Sequence, residues 1–380
     1  MRSDQSAESI GSAGVLVIGG GIIGLSIARE LAQRGVADVS VLEKNEFGEE
    51  ASWAAGGILA PQVEADQDDE FFQLACASRD LYLGFVEAVQ NESGIDVGFD
   101  PTGTIYLAFT EDEEREFRAR FEWQQSRGLC IEWLNGDEVR QHEPAVSPDV
   151  RCALRFKHDY QVENRRLVKA LLVANERAGV RLIPESAAVA LRIENGQVLG
   201  VETARGLIAA NRVVLAAGSW SSSIKSVAPL PNIDVKPVRG QMLCFKPEKP
   251  LARHVIYSGR GYLIPRSDGR LLAGSTTEEA GFEKRVTEEG TKAIRTMAEE
   301  IVPALESVPV LESWAGFRPR AKDGLPVLGP LGSVAGLIYA TGHYRNGILL
   351  APITAKLIAE AIVSGRTPPL LTPFLPDRFR

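Results

Sequence analysis

The sequence has few of the side chains that bind metals or form disulfide bonds. Its four cysteines, Cys76, Cys130, Cys152 and Cys244, lie far apart with no Cys-x-x-Cys pair, and its four histidines are equally scattered. A zinc site or a redox dithiol requires such ligands at close spacing, so this distribution argues against both. We expect no metal site, and we expect buried free thiols in a reducing compartment, the cytoplasm.

The chain also has no basic excess and no long apolar run at its first strand. Its formal net charge is −8, and no basic stripe offsets that charge locally, which argues against a nucleic-acid partner. The apolar run that begins at Val15 is too short to span a bilayer, so we expect no membrane segment. Residues 1–11 are small and polar, and we expect a flexible leader there rather than a signal peptide.

What the sequence does contain is a glycine-rich turn directly after an apolar strand. Gly19, Gly21 and Gly24 form a Gly-x-Gly-x-x-Gly pattern that opens a helix. The first glycine permits the tight turn, the second lets the backbone approach a pyrophosphate, and the third lets the helix pack on the strand. The amides of Ile22 and Ile23 then face the phosphates at the positive end of the helix dipole.

Glu43 ends the second buried strand of this unit, about 20 residues after the last glycine, where an acid binds the ribose diol of adenosine. A carboxylate at this point also repels a 2′-phosphate. A glycine-rich turn that binds nothing is the alternative, but the strand, the helix and the acid together favour a dinucleotide site.

Small residues also occur at three other predicted strand ends: in the stretch 51–61, at the end of the strand 213–220, and at 342–347. Small residues let backbone amides reach a flat ring system that bulky side chains would keep away. Taken alone, the first stretch is also compatible with a mobile surface loop. Together the three turns favour FAD, which is longer than NAD.

Arg318 is flanked by aromatic and apolar residues in Trp-Ala-Gly-Phe-Arg-Pro. A planar guanidinium in a partly dry site binds a carboxylate through two parallel charge-assisted hydrogen bonds. The alternative is a structural ion pair, which is common for arginine. Tyr262, on a predicted strand, is a candidate hydrogen-bond donor to the same carboxylate, although strand tyrosines more often simply pack.

Stretches in which helices and strands alternate are separated by stretches in which strands dominate. We therefore predict an α/β fold with two interleaved domains. Asn164 is predicted to cap one of the helices. The first domain, a Rossmann-like FAD-binding unit, takes residues 12–92, 160–225 and 318–372. The second, a sheet-rich substrate-binding domain, takes residues 93–159 and 226–317.

The order of these motifs resembles the D-amino-acid oxidase family of FAD-dependent oxidoreductases, and within it the glycine oxidases of the ThiO type. The likeness runs from about residue 14 to residue 368, and its most specific stretch is Gly-His-Tyr-Arg-Asn-Gly-Ile-Leu-Leu-Ala-Pro at 342–352. It implies non-covalently bound FAD and oxidation of a small amine or amino acid, with O₂ reduced to H₂O₂. It also implies a cytoplasmic homotetramer whose imine product supplies the thiazole synthase step of thiamine synthesis.

The resemblance also implies roles for individual residues. Arg318 would bind the substrate carboxylate, assisted by Tyr262 and Arg345, and no side chain would act as general base. The implied FAD contacts, with the glycines already named, are Gly19, Gly21, Ile22, Ile23, Gly24, Glu43, Lys44, Ala51, Ser52, Gly56, Gly57, Ile58, Val189, Gly218, His343, Tyr344, Arg345, Asn346, Gly347, Ile348 and Leu349.

Two positions depart from the pattern of glycine oxidases and leave the preferred amine open. Arg260 stands where a histidine precedes the tyrosine, and Thr277 falls near the place of a pocket methionine. A D-amino-acid dehydrogenase that passes electrons to a membrane quinone, a sarcosine-oxidase-like enzyme, and a non-catalytic FAD-carrying assembly module remain alternatives.

Overall fold

The computed structural model describes residues 9–379. Its α-helices are α1 (Ile22–Gln33), α2 (Ala51–Ala54), α3 (Pro61–Glu64), α4 (Glu70–Ser93), α5 (Glu111–Ser126), α6 (Gly136–His142), α7 (Asn164–Arg177), α8 (Glu288–Ile301) and α9 (Gly347–Ser364). Short 3₁₀ helices are Gly218–Ser223, Pro303–Ser307, Pro369–Phe374 and Pro376–Phe379.

The strands, in chain order, are β1 (Ser9–Ala13), β2 (Val15–Ile18), β3 (Val39–Leu42), β4 (Ile58–Leu59), β5 (Thr104–Ala108), β6 (Glu132–Asn135), β7 (Cys152–Phe156), β8 (Tyr160–Gln161), β9 (Arg181–Ile183), β10 (Ala188–Glu194), β11 (Gln197–Thr203), β12 (Gly206–Ala210), β13 (Val213–Leu215), β14 (Lys225–Ser226), β15 (Lys236–Phe245), β16 (Val255–Ser258), β17 (Gly261–Pro265), β18 (Leu271–Gly274), β19 (Val310–Arg320), β20 (Val327–Pro330) and β21 (Leu337–Thr341).

The predicted leader is only partly testable, because residues 1–8 lie outside the described residues. For residues 9–11 the prediction is wrong. They belong to β1, which pairs in parallel with β12 at the edge of a five-stranded sheet.

A six-stranded sheet of order β20-β21-β13-β2-β3-β9 carries the glycine-rich turn. All its strands run parallel except β20, which pairs with β21 in the antiparallel direction. Both faces are covered, as continuous apolar strands predict. In β2, Val15 and Val17 pack in a core with α1, α4, α7 and α9, whereas Leu16 and Ile18 pack towards β10, β11 and β12.

An eight-stranded sheet of order β19-β15-β18-β17-β16-β5-β7-β6 forms the other large layer. In β15, Leu243 and Phe245 pack with residues of α8, whereas Met242 and Cys244 belong to a second apolar cluster that includes Tyr262 and Trp314. The alternation of side chains along the strand therefore directs Met242 towards the parallel sheet rather than towards α8.

Helix α9 is long and apolar enough to cross a membrane by length and composition, the one such helix within residues 9–379. The expectation of no membrane segment rested on the apolar run at β2 alone and did not take this helix into account. In the fold α9 packs against α1 and α4, and 67% of its residues are buried. Its apolar character is explained by this central position in the core.

The α/β prediction is confirmed. The division into two domains stays a prediction. The strands of the eight-stranded sheet come from residues 104–156 and 236–320, and β19 crosses the predicted boundary between residues 317 and 318.

The cysteines are free, but they are not all buried. Cys152 and Cys244 are buried, whereas Cys76 and Cys130 are only half-buried, so the prediction of burial is wrong for the latter pair. Burial raises the pKa of Cys76 to about 12 and that of Cys152 to about 11. Within residues 9–379, no group of three His, Cys, Asp or Glu side chains is arranged to hold a metal ion.

Candidate active site

A long cavity lies at the carboxyl ends of β2, β3 and β13. Ligands of open α/β sheets bind at this edge, beside the strand from which connections leave in opposite directions. Strand β2 occupies that position, because β3 lies on one side of it and β13 on the other. The cavity wall includes Glu46 and Glu50 just after β3, and Tyr257 and Tyr262 in the eight-stranded sheet, so the cavity lies between the two large sheets.

The turn after β2 requires its glycines. Gly19 has φ +111°, and a Cβ at this residue would collide with the carbonyl oxygen of Ala216. A Cβ at Gly24 would collide with the carbonyl oxygen of Gly19, so this glycine serves helix packing and does not line the cavity. Gly21 faces the cavity, and the N–H of Ile22 donates to Ser52 Oγ at 2.9 Å.

Glu43 is held in place by backbone donors at the end of β3. Its carboxylate accepts from the N–H of Gly20 at 2.7 Å and from that of Asn45 at 3.2 Å, and the side chain lines the cavity. Next to it, the Lys44 ammonium lies 3.4 Å from the centroid of the Trp220 ring. A positioned carboxylate with an aromatic wall suits the adenosine end of a dinucleotide.

The small-residue stretch at 51–61 is an ordered wall and not a mobile loop. The Asn164 amide donates to the carbonyl oxygens of Ser52 and Trp53 at 2.8 and 3.0 Å. Asn164 is the first residue of α7 rather than its cap, so the predicted capping role is wrong. The buried Arg266 donates to the carbonyl oxygen of Gly56 at 2.8 Å, and burial lowers its pKa to about 10.

The small residues of the cavity wall decide whether FAD fits the cavity. Gly57 has φ +72°, and Gly218 has φ +52° with open space where a Cβ would stand. Residues with little or no side chain therefore line the wall beside the dinucleotide turn and leave room for a flat ring. The residues present fit FAD: Gly19 to Ile23 would hold the pyrophosphate and Glu43 would bind the ribose.

His343 begins the last predicted stretch and is buried in the wall. Its Nε2 pairs with Thr354 Oγ1 at 3.1 Å. Burial lowers the pKa of His343 to about 3, so the ring is neutral near pH 7. The chain then turns through Tyr344, which has φ +47°, and enters α9 at Gly347.

Arg318 lies near the end of β19, where it faces Gly240 across the β15–β19 ladder. Its Nη1 donates to the carbonyl oxygen of Thr276 at 3.0 Å, and its Nη2 donates to Ser275 Oγ at 2.6 Å. Among residues 9–379 no carboxylate pairs with this guanidinium. The structural ion pair that was the alternative is absent from the described chain, and the charge is available to an external anion.

Tyr262 joins the same hydrogen-bonded group. Its hydroxyl donates to Ser275 Oγ at 3.1 Å and lies 3.6 Å from Met242 Sδ. Tyr262 and Arg318 therefore converge on one serine hydroxyl at the cavity wall.

Arg345 differs from Arg318 because it already has a partner. Its Nη2 lies 2.9 Å from Glu64 Oε1, and this ion pair raises the pKa of the guanidinium. Glu64 also accepts from the hydroxyl of Tyr257 at 3.2 Å, and all three residues line the cavity. Glu64 and Tyr257 were missed from the sequence, where nothing near them indicates a site.

The cavity wall contains most of the predicted residues. They are Gly19, Gly21, Ile22, Ile23, Glu43, Lys44, Ala51, Ser52, Gly56, Gly57, Ile58, Gly218, Tyr262, Arg318, His343, Tyr344, Arg345, Asn346, Gly347 and Ile348. Three predicted residues do not line the cavity: Gly24, which packs against the turn, Val189 and Leu349. Val189 is 44% exposed, and Ala187 and Ala188 line the wall instead, while Leu349 is buried in the core beneath the cavity.

The two departures from the glycine oxidase pattern lie away from the cavity. Arg260 is exposed and pairs with Glu300 at 2.6 Å, and Thr277 is exposed as well. Met242, from β15, supplies a methionine to the wall.

A family model described as FAD dependent oxidoreductase matches residues 14–361. The chain belongs to this family. FAD is its cofactor, and the predicted family and fold are confirmed.

Individual members of the family are similar over nearly the whole chain. The glycine oxidase of Pseudomonas aeruginosa is 35% identical over 93% of this chain and 95% of its own length. The crystal structure of glycine oxidase from Geobacillus kaustophilus superposes with a TM-score of 0.91 at 33% identity, covering 96% of this chain and 98% of that one. The bifunctional protein ThiO/ThiG of Trichormus variabilis is 38% identical over 96% of this chain, which spans 55% of that longer protein.

Proposed function

We propose that this FAD-dependent oxidoreductase is an amino-acid oxidase of the glycine oxidase type. It oxidises glycine, and also sarcosine and small D-amino acids, to the imine, while O₂ is reduced to H₂O₂. Hydrolysis of the imine from glycine gives glyoxylate and ammonia. The observation that carries the proposal is the guanidinium of Arg318 on the wall of the FAD cavity, which has no carboxylate partner among residues 9–379.

Arg318 binds the carboxylate of the amino acid and fixes its orientation. Two nitrogens of the guanidinium already donate to Thr276 and Ser275, which holds its plane, and the remaining N–H groups are free to donate to a carboxylate. When bound, FAD supplies two-electron oxidation chemistry. Positioning of the substrate carbon against the flavin is then the main contribution of the protein.

The residues around this end of the cavity favour a small substrate. Gly274 is in close contact with both Met242 and Tyr262. A Cβ on this glycine would collide with the sulfur of Met242 and would lie 3.0 Å from the ring of Tyr262. The side chains of Met242, Tyr257 and Tyr262 all line the cavity that contains Arg318. An amino acid with a hydrogen or a methyl group at Cα suits this restricted volume.

No side chain is assigned as general base. His343 is neutral and engaged with Thr354, and Glu64 is paired with Arg345. A proton therefore leaves the substrate ammonium to solvent before oxidation, and the amine reacts in its neutral form.

One anaerobic titration tests the proposal. Glycine, sarcosine or D-alanine should bleach the flavin absorption without air, and readmitted O₂ should restore it with formation of H₂O₂. A quinone-linked dehydrogenase would bleach but reduce dyes far faster than O₂, and an assembly module would not bleach. A flavin retained by acid-precipitated protein would contradict the non-covalent cofactor.

The proposal extends to the product and the assembly. The relative from Trichormus variabilis is a bifunctional protein that combines ThiO and ThiG in one chain. This combination supports a link between the oxidase proposed here and a thiazole synthase step that uses the imine. We assign the enzyme as a cytoplasmic homotetramer on the family resemblance. Sedimentation of the purified protein tests the oligomeric state, and transfer of the imine to a thiazole synthase tests the link.

A further inference from the structure

The guanidinium of Arg318 is held by a segment without regular structure. Ser275 and Thr276, which accept its two hydrogen bonds, begin the segment 275–287 between β18 and α8. Such a segment holds a side chain in one orientation only if other contacts hold the segment itself in place.

The hydroxyl group of Thr276 both accepts and donates a hydrogen bond. Its Oγ1 accepts from the N–H of Gln241 at 2.9 Å and donates to Oε1 of Glu278. The same carboxylate oxygen accepts from Gln241 Nε2 at 2.7 Å. The rotamer of Thr276 is thereby set by Glu278 and the neighbouring strand β15, and the carbonyl of Thr276 stays directed at Arg318.

Glu278 is in turn fixed by Arg239 of β15. The two backbones exchange N–H···O bonds of 2.9 Å in both directions, and Arg239 Nε donates to Oε2 of the carboxylate at 3.0 Å. Arg239 is buried, and its Nη1 also donates to the carbonyl oxygen of Glu283 at 2.9 Å. The acid is therefore locked between β15 and its own segment.

We propose that Glu278 is a positioning residue that holds the Arg318 guanidinium in the orientation that binds the substrate carboxylate. This inference rests on the proposed function, because it assigns a support to the same carboxylate site. Glu278 touches neither substrate nor cofactor, and it acts through Thr276.

The carboxylate form of Glu278 is required for this arrangement. Both of its oxygens accept only, from Arg239 at one and from Gln241 and Thr276 at the other. Burial raises its pKa, but hydrogen bonds from these three residues outweigh burial, and the net pKa lies below its usual value. In Glu278→Gln the amide nitrogen must face donors at one end or the other, so either Arg239 or the pair of Gln241 and Thr276 loses its acceptor, and the arrangement that fixes Thr276 is weakened.

The test measures binding of acetate, which has a carboxylate but no amine to oxidise. Acetate is titrated into the FAD-loaded protein and followed by the flavin absorption spectrum, beside kcat and KM for glycine. In Glu278→Gln we expect acetate to bind about tenfold more weakly, with KM raised to match, kcat little changed and FAD content retained. A merely structural role would lower the melting temperature without this split.

Two comparisons keep the test decisive. Glu279→Gln is the matched control, since Glu279 adjoins Glu278 but pairs with Arg320 at the surface, and it should bind acetate like the wild type. Thr276→Val should reproduce the loss, and Thr276→Ser, which keeps the hydroxyl, should recover most of it. If Glu278→Gln does not fold, the acetate affinities of Thr276→Val and Thr276→Ser test the inference instead.

A double variant separates this inference from the function on which it rests. If Glu278 acts through the guanidinium, adding Glu278→Gln to Arg318→Ala should weaken acetate binding no further. Wild-type affinity in both Glu278→Gln and Thr276→Val would overturn the inference alone. A wild-type protein that neither oxidises amino acids nor binds acetate would overturn the proposed function first.

Discussion

Arg318 lies directly over Gly240, so close that a Cβ on this glycine would collide with the guanidinium. The contact arises because β15 and β19 are paired, with Val238 opposite Arg318 and Gly240 opposite Gly316. Gly240 has an ordinary backbone conformation, and its lack of a side chain therefore serves the arginine and not a turn.

Gly240→Ala should displace the guanidinium without disturbing the FAD turn. We expect kcat/KM for glycine to fall about 10- to 100-fold, because small displacements of a positioning group have effects of this size. The FAD content should stay at the wild-type level. Gly84→Ala is the control, since a Cβ there meets nothing within 4 Å, and a comparable loss in that variant would contradict the argument.

Arg318→Ala should remove the substrate carboxylate site. The loss of one charged bidentate pair should weaken substrate binding by about 2–5 kcal/mol, seen as a higher KM or a higher Kd for acetate. Arg320→Ala is the matched control, because Arg320 lies two residues along the same strand but pairs with Glu279 at the surface. Equal effects in the two variants would argue against a specific role for Arg318.

The pH dependence of stability should carry a contribution from His343. Burial lowers its pKa from 6.5 to about 3, so the folded protein keeps the ring neutral while the unfolded chain takes up a proton. Stability from this group is present above pH 6.5 and is lost as the pH falls towards 3, by about 1.4 kcal/mol per pH unit at most. Urea unfolding of the wild type and of His343→Gln, at intervals between pH 7 and pH 4, should show this difference in slope. Parallel curves would contradict it.

Local patterns predicted the dinucleotide turn because its strand, its three glycines and its helix lie within one short stretch. A Cβ at Gly19 or at Gly24 would collide with a backbone carbonyl oxygen, a Cβ at Gly21 would lie close to Ser52 Oγ, and Glu43 follows at the end of the next strand. The flanks of Arg318 likewise indicated a carboxylate site. Whether a carboxylate compensates the charge of Arg318 depends on which loops pack against β19. The local sequence around Arg318 does not contain this information.

Other features depended on tertiary contacts. Glu64 and Arg345 are 281 residues apart, and no periodicity relates them. Asn164 is the first residue of α7, one position after the cap, and its amide donates to the carbonyl groups of residues 52 and 53. Val189 was carried over from the family resemblance as an FAD contact, whereas the phase of side chains along β10 in this chain is set by packing.

Glu64→Gln should change the choice of substrate. In the wild type Glu64 compensates Arg345, so this second guanidinium at the cavity wall does not attract another carboxylate. Glutamine keeps the size and leaves an acceptor for Tyr257 but removes the negative charge. Arg345 then becomes a second anion site in the same cavity as Arg318.

We therefore expect this variant to oxidise D-aspartate or iminodiacetate better, relative to glycine, by about tenfold, the effect of roughly 1.4 kcal/mol from one newly available charge. The ratio of kcat/KM values for the two substrates is the measurement, because it cancels losses common to both. Glu64→Gln combined with Arg345→Met should abolish the gain, since no second cation remains. A gain that survives in the double variant would show that the extra carboxylate binds elsewhere and that the Glu64–Arg345 pair does not control selectivity.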